Sequence, residues 1–88
     1  MFHSRDIVTA IEIGTSKINV LVGEAGTDGR VSVIGRGTAP SAGSVVKGEI
    51  EDMELAFEQL GTAIEDAANA SDGMLNSTKS VVVVVTGC

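Results

Sequence analysis

The apolar residues of this chain fall into short β-type runs followed by one longer segment with a helical period. Residues 7–13 are rich in β-branched side chains and almost wholly apolar, which predicts a strand buried on both faces. Residues 17–22 and 31–34 predict two further strands, and the Asp28-Gly29 pair between them is a strong hairpin signal. The sequence therefore predicts two antiparallel hairpins in succession.

Residues 52–70 follow a helical period instead. Their apolar positions form one stripe, made of Met53, Ala56, Phe57, Leu60, Ile64 and Ala67. We expect the helix to pack this stripe against the sheet and to bury Phe57, Leu60 and Ile64. Gly61 is expected to permit close packing of the helix on the sheet.

Two segments flank this helix. Residues 35–48 are dominated by glycine, serine and the single proline, which predicts a loop. Residues 81–86 begin with five consecutive valines, so they predict a fourth strand in a central position of the sheet. The predicted order is β-β-β-α-β, an α/β class with a mixed sheet. We expect residues 1–6 to be a flexible leader and residues 7–88 to be one part of a domain, truncated after a strand meant for burial.

Charge and composition limit the possible functions of this 88-residue chain. Its formal net charge is −6, from 12 acidic and 6 basic residues. This balance argues against nucleic-acid binding and against a polybasic membrane surface. Cys88 and His3 are the single cysteine and histidine, so an internal disulfide, a zinc site and a Ser-His triad are excluded within these 88 residues. With no signal-peptide pattern, the cytoplasm is the expected compartment.

Candidate chemistry lies in residues 11–17, which read Ile-Glu-Ile-Gly-Thr-Ser-Lys. Residues 14–16 form what we call the Gly-Thr-Ser turn. Gly14 lets the backbone approach a ligand closely. The amides of Gly14, Thr15 and Ser16 can point at phosphate oxygens as a nest, and the two hydroxyls add donors.

Charged residues flank the Gly-Thr-Ser turn on both sides. Glu12 can hold Mg²⁺ through water, and Lys17 can neutralise phosphate charge. A Gly-Thr-Ser sequence between two strands is more often an ordinary hairpin turn. Glu12 favours a function, because an unpaired carboxylate buried in an apolar strand costs several kcal/mol. Neither a P-loop nor a Rossmann fingerprint is present.

Taken in order, several short motifs resemble those of the bacterial actin-like ATPases, and most of all the FtsA family of cell-division proteins. The motifs are residues 11–17, Val22-Gly23-Glu24, Asp28-Gly29, Pro40-Ser41-x-Gly43 with Lys47-Gly48, and the terminal Val-Val-Thr86-Gly87. This resemblance covers nearly the whole chain from Ile7. One departure is Glu12, where the actin superfamily usually has Asp.

The resemblance implies a partial actin-like (ribonuclease H-like) ATPase subdomain. It implies that Gly14, Thr15, Ser16 and Lys17 bind the phosphates of ATP and that Glu12 serves Mg²⁺. It also implies self-association, a partnership with FtsZ, and a place at the inner face of the cell membrane through regions absent here. The second phosphate loop would lie outside residues 1–88, so no activity is expected from this chain alone.

Three other functions also fit these residues. The first is another actin-like ATPase such as the pilus-assembly protein PilM, and the second is a sugar kinase with the same opening turn. The third is an interaction module that has lost nucleotide chemistry. The segment of residues 40–48, followed by an acidic helix start, favours the FtsA family over a kinase.

Overall fold

The computed structural model describes residues 6–47 and 49–86. Its elements in chain order are strands β1 (Asp6–Ile13), β2 (Lys17–Ala25), β3 (Val31–Pro40), β4 (Val45–Val46) and β5 (Glu49–Ile50), helix α1 (Met53–Ala70), a 3-10 helix (Met74–Ser77) and strand β6 (Thr78–Val85). Residues 1–5 of the predicted leader lie outside the described residues. Its last residue, Asp6, is the first residue of β1 and so does not belong to a leader.

Within the described residues, four strands form one sheet in the order β3-β2-β1-β6. β1 pairs antiparallel with β2, and β2 pairs antiparallel with β3, which confirms the two predicted hairpins. β6 pairs parallel with β1, so the sheet is mixed as predicted. The short strands β4 and β5 form a separate antiparallel pair.

The predicted loop over residues 35–48 is wrong in its first part. Strand β3 continues through this region to Pro40. Gly35, Gly37 and Ala39 pair with Val22, Val20 and Ile18 of β2, and all three lie on the buried face of β3. Small residues here serve the packing of the sheet, and glycine content alone could not distinguish this use from a loop.

Helix α1 has the predicted extent, because local signals set both of its ends. At its start, the Asp52 carboxylate accepts a hydrogen bond of 3.0 Å from the Leu55 amide, which satisfies one of the free N–H groups of the first turn. At its end, the Ser71 amide donates to the Ala67 carbonyl and the Gly73 amide to the Ala68 carbonyl. Gly73 has a left-handed backbone with φ of 80°.

The predicted burial of the helix is wrong for its largest side chains. Phe57 is 66% exposed and Met53 is 55% exposed. Leu60 and Ile64 are half-buried and pack against the core. The fully buried positions are occupied by alanines, namely Ala56, Ala63 and Ala67.

Alanines occupy the buried face of α1 because the helix lies very close to β3. A Cβ added at Gly37 would stand 1.9 Å from the Ala63 carbonyl oxygen, so the two backbones are in direct contact there. A gap this small admits alanine and excludes phenylalanine. The close packing predicted at Gly61 is wrong, because Gly61 is exposed and a Cβ added to it would meet nothing within 4 Å.

Strand β6 lies at an edge of the described sheet, and its predicted central position is wrong for this structure. Its five valines are exposed, from 57% at Val81 to 46% at Val85. Helix α1 packs on β3 and β2, which leaves both faces of β6 open among the described elements. None of the described helices is long and apolar enough to cross a membrane.

Candidate functional site

The Gly-Thr-Ser turn joins β1 to β2, at the end of two strands that form the centre of the sheet. The amide of Gly14 donates a hydrogen bond of 3.0 Å to the Lys17 carbonyl and closes the turn. Gly14 is therefore not available as a phosphate donor, and the predicted three-amide nest is reduced to two amides. Among the described residues, the amides of Thr15 and Ser16 donate to no backbone carbonyl outside the strand ladders.

Gly14 is buried, and its backbone is not left-handed. The described glycines with a left-handed backbone are Gly29, Gly43 and Gly73. A left-handed backbone is thus not the reason to have glycine at position 14.

The hydroxyl of Thr15 is buried and, within the described part of the chain, has no hydrogen-bond partner. A buried hydroxyl without a partner costs about 1–3 kcal/mol. Native proteins pair nearly all such groups, so an unpaired one calls for an explanation. A ligand that brings an acceptor oxygen to the turn would remove this cost.

Ser41 supports the turn from the side of the core, and it was not among the predicted site residues. Its hydroxyl donates to the Gly14 carbonyl, and its amide donates to the Ser16 carbonyl over 3.2 Å. The side chain is completely buried. The Pro40-Ser41-x-Gly43 motif marked this residue in the sequence, but a contact across 27 positions carries no local signal.

A row of polar side chains crosses the sheet beside the turn, on the face opposite α1. The side-chain Nδ2 of Asn19 donates to the Glu12 carboxylate over 3.0 Å, and the Thr38 hydroxyl donates to the side-chain Oδ1 of Asn19 over 3.0 Å. These residues are direct neighbours on β1, β2 and β3. Glu12 is exposed and hydrogen-bonded, so the cost of an unpaired buried carboxylate does not arise.

A cavity of about 350 Å³ opens at the turn and is lined by Glu12, Gly14, Ser16, Lys17 and Thr86. It brings together four of the five predicted site residues, and Thr15 is the one outside this lining. Thr86 is the further residue that the sequence reasoning did not assign. Its amide donates to the Ile13 carbonyl over 2.9 Å, which holds the end of β6 beside the turn.

A second cavity of about 350 Å³ lies on the same open face of the sheet and shares Glu12 and Lys17 with the first. Its walls are largely apolar, with Leu21, Val82 and Val84 among them. Arg36 adds a second cation there. Glu12 and Lys17 therefore line both cavities.

This donor set fits a phosphate, with two backbone amides, a hydroxyl and an ammonium group around one turn. It offers little direct coordination to a metal ion. The described residues contain no group of three or more His, Cys, Asp or Glu side chains that could hold one. Glu12 alone fits Mg²⁺, which keeps several of its waters and needs one or two carboxylates beside the phosphates.

Comparison with known proteins shows which proteins this chain is similar to. The chain is 40% identical over 73 residues to the cell division protein FtsA of Escherichia coli K12, which is 83% of this chain and 17% of that protein. It is 35% identical over 75 residues to FtsA of Pseudomonas aeruginosa, which is 85% of this chain and 18% of that protein. The resemblance to the FtsA family is confirmed. The chain thus spans less than a fifth of the length of these FtsA relatives.

Among solved structures, the chain matches a diol dehydratase-reactivating factor in nucleotide-free form. The TM-score is 0.64 at 15% sequence identity, over 89% of this chain and 12% of that protein. At this identity the match shows the fold alone, and it agrees with the predicted actin-like α/β class with a mixed sheet. No family model matches the chain. The FtsA relationship therefore rests on the sequence matches.

Proposed function

We propose that this chain is part of an actin-like cell-division protein of the FtsA type and supplies the first turn that binds the phosphates of ATP. The observation that carries this proposal is the state of the Gly-Thr-Ser turn. Two of its amides and one of its hydroxyls are without a described partner, while Glu12 and Lys17 line a cavity together with Gly14 and Ser16 of the turn. A turn that served only to reverse the chain would need neither feature.

Each residue has a distinct task in this proposal. The amides of Thr15 and Ser16 donate to phosphate oxygens, and the Thr15 hydroxyl gains the acceptor it lacks. Lys17 neutralises part of the phosphate charge, which the net charge of −6 makes necessary. Glu12 orients the hydrated Mg²⁺ that accompanies ATP. Gly14 keeps the floor of the turn free of a side chain.

The larger context is proposed from the family. Residues 6–88 would be one part of an actin-like domain, since Asp6 already belongs to β1, and residues 1–5 would be the leader. The complete protein would self-associate, bind FtsZ, and act at the cytoplasmic face of the cell membrane. The name of the relatives supports a task in cell division. Self-association, FtsZ and the membrane are proposed from the family that the sequence motifs resemble.

The test is MgATP binding by the longer protein that contains this chain, with Lys17→Ala as the variant. We expect the Kd to rise about tenfold, equivalent to about 1.4 kcal/mol, because one charge-assisted contact to phosphate is lost. The matched control is Lys79→Ala, which removes the same charge from an exposed lysine 4.0 Å from the Asp6 carboxylate at the other end of β1. Equal Kd values for the Lys17 and Lys79 variants would reject the assignment.

A further inference from the structure

A series of polar contacts connects helix α1 to the Gly-Thr-Ser turn. The Gln59 side-chain amide donates to the Ala42 carbonyl over 3.2 Å, and its oxygen is hydrogen-bonded to the Ser44 hydroxyl. The Ser44 hydroxyl also lies 3.0 Å from the Ser41 carbonyl. Ser41 in turn reaches the turn, through its hydroxyl to Gly14 and its amide to Ser16.

The serines in this path have no access to solvent. Ser41 and Ser44 both have 0% exposure. The Ser41 carbonyl additionally accepts from the amides of Ser44 and Val45, over 3.1 and 3.2 Å. The Ser41 carbonyl is therefore held by two hydrogen bonds within its own loop, whereas its amide is held by the Ser16 carbonyl of the turn. Backbone hydrogen bonds thus fix Ser41 on both sides, independently of its hydroxyl.

The hydrogen bond from Ser41 to the Gly14 carbonyl also fixes the direction of the Thr15 N–H, because of the geometry of the peptide bond. The Gly14 carbonyl and the Thr15 amide belong to one planar trans peptide group, so they point in opposite directions. Because the Gly14 carbonyl accepts from Ser41 on the core side, the Thr15 N–H must point away from Ser41. A rotation of this peptide plane would break the Ser41 hydrogen bond.

We propose that Ser41 is a positioning residue that aims the Thr15 amide at the phosphate. This inference rests on the proposed function, because it assigns a role to the same turn. Ser41 itself does not contact the nucleotide. It holds the Gly14-Thr15 peptide plane in the orientation that phosphate binding requires, so the donor needs no reorganisation when the ligand arrives.

The first experiment measures the turn without any ligand. In ¹⁵N-labelled chain, Ser41→Ala should lower the backbone order parameter of the Thr15 amide from about 0.85 to below about 0.6. The control is Ser71→Ala, which removes the hydroxyl of another buried serine, one that donates to the Ala68 carbonyl 3.2 Å away at the end of α1. In the control, Thr15 should stay as rigid as in the wild type. A rigid Thr15 amide in folded Ser41→Ala would overturn the proposal.

A measurement on the wild type covers the case in which Ser41→Ala does not fold. A buried hydroxyl proton that is donated to a carbonyl exchanges slowly with water. The Ser41 hydroxyl proton should therefore be visible, with a nuclear Overhauser effect to the Gly14 α-protons. Exchange of this proton at the rate of an exposed serine would show that the hydrogen bond is absent, and would reject the proposal.

The second experiment links the turn to nucleotide. In the longer protein, Ser41→Ala should raise the Kd for MgATP about tenfold, whereas Ser71→Ala should leave it unchanged. Equal Kd values for wild type and Ser41→Ala would overturn the positioning role. If the wild-type protein does not bind MgATP at all, the proposed function fails, and the order parameter of Thr15 still decides whether Ser41 orients the peptide.

Discussion

The backbone of Gly37 in β3 lies directly against the backbone of Ala63 in α1. A Cβ placed on Gly37 would be 1.9 Å from the Ala63 carbonyl oxygen and 2.5 Å from the Ala67 nitrogen. No side-chain movement can relieve such an overlap, because both neighbouring atoms belong to the helix backbone. This single contact sets the distance of the helix from the sheet and determines which helix face is buried.

We predict that Gly37→Ala destabilises the protein by more than about 3 kcal/mol, since the helix must move away from the sheet. Gly61→Ala is the matched substitution in an exposed part of α1, where a Cβ would meet nothing within 4 Å. It should stabilise the protein by about 0.5–1 kcal/mol through helix propensity. Urea unfolding of both variants measures the difference. A neutral effect of Gly37→Ala would contradict the described packing.

The extent of α1 and the hairpin turn at Asp28-Gly29 could be predicted from the sequence, because signals within a few residues fix them. The end of β3 could not, because its glycines are equally typical of a loop. The buried face of α1 could not be predicted in this way. Phe57 fits the apolar helical stripe better than Ala63 does. Ala63 is nevertheless buried and Phe57 exposed, because the glycines of β3, a separate element, let the helix backbone approach the sheet.

In the candidate site, too, the residues near the turn in sequence could be predicted and the distant ones could not. Glu12 and Lys17 are adjacent to the turn in sequence, and they line the same cavity in the structure. Ser41 and Thr86 reach the turn from 27 and 72 positions after Gly14, through the pairing of β2 with β3 and of β1 with β6. The hairpin of β2 and β3 could be predicted, but the registers that bring Ser41 and Thr86 to the turn have no signature in a single sequence.

The exposed valines of β6 give a prediction about association. Residues 80–86 of this edge strand carry no charge. If two copies of β6 paired antiparallel with Val83 opposite Val83, Ser80 of one copy would lie opposite Thr86 of the other. We expect the 88-residue chain to self-associate through this strand. Val83→Lys should shift the chain towards monomer, because a buried charge opposes the pairing.

Sedimentation of the two proteins at equal concentration tests this association. Phe57→Lys is the control, because it places the same charge at an exposed apolar residue on the helix. It should leave association unchanged. A monomeric wild-type chain, or an equal effect of both lysines, would show that β6 is not the contact.

The 88-residue chain on its own should bind MgATP only weakly. Ser16 and Lys17 are exposed, so water competes for each phosphate contact and screens its charge. We expect a dissociation constant above about 1 mM, equivalent to less than about 4.1 kcal/mol of binding free energy. Isothermal titration calorimetry measures this value. Micromolar binding or turnover above background would show a more complete site than the one described.

The central claim is that the Gly-Thr-Ser turn contacts the phosphates of ATP, and Gly14→Val tests it most directly. Gly14 lines the cavity at the turn, so we expect a valine there to obstruct an approaching phosphate. Gly61→Val is the control, since it adds the same side chain at an exposed helix position. Thermal melting of both variants first establishes that each is folded.

The deciding measurement is the Kd for MgATP, obtained by calorimetry on the longer protein that contains this chain. We predict that Gly14→Val weakens binding at least about a hundredfold, or about 2.7 kcal/mol, and that Gly61→Val binds like the wild type. A folded Gly14→Val protein with the wild-type Kd would contradict the assignment of this turn to nucleotide phosphates.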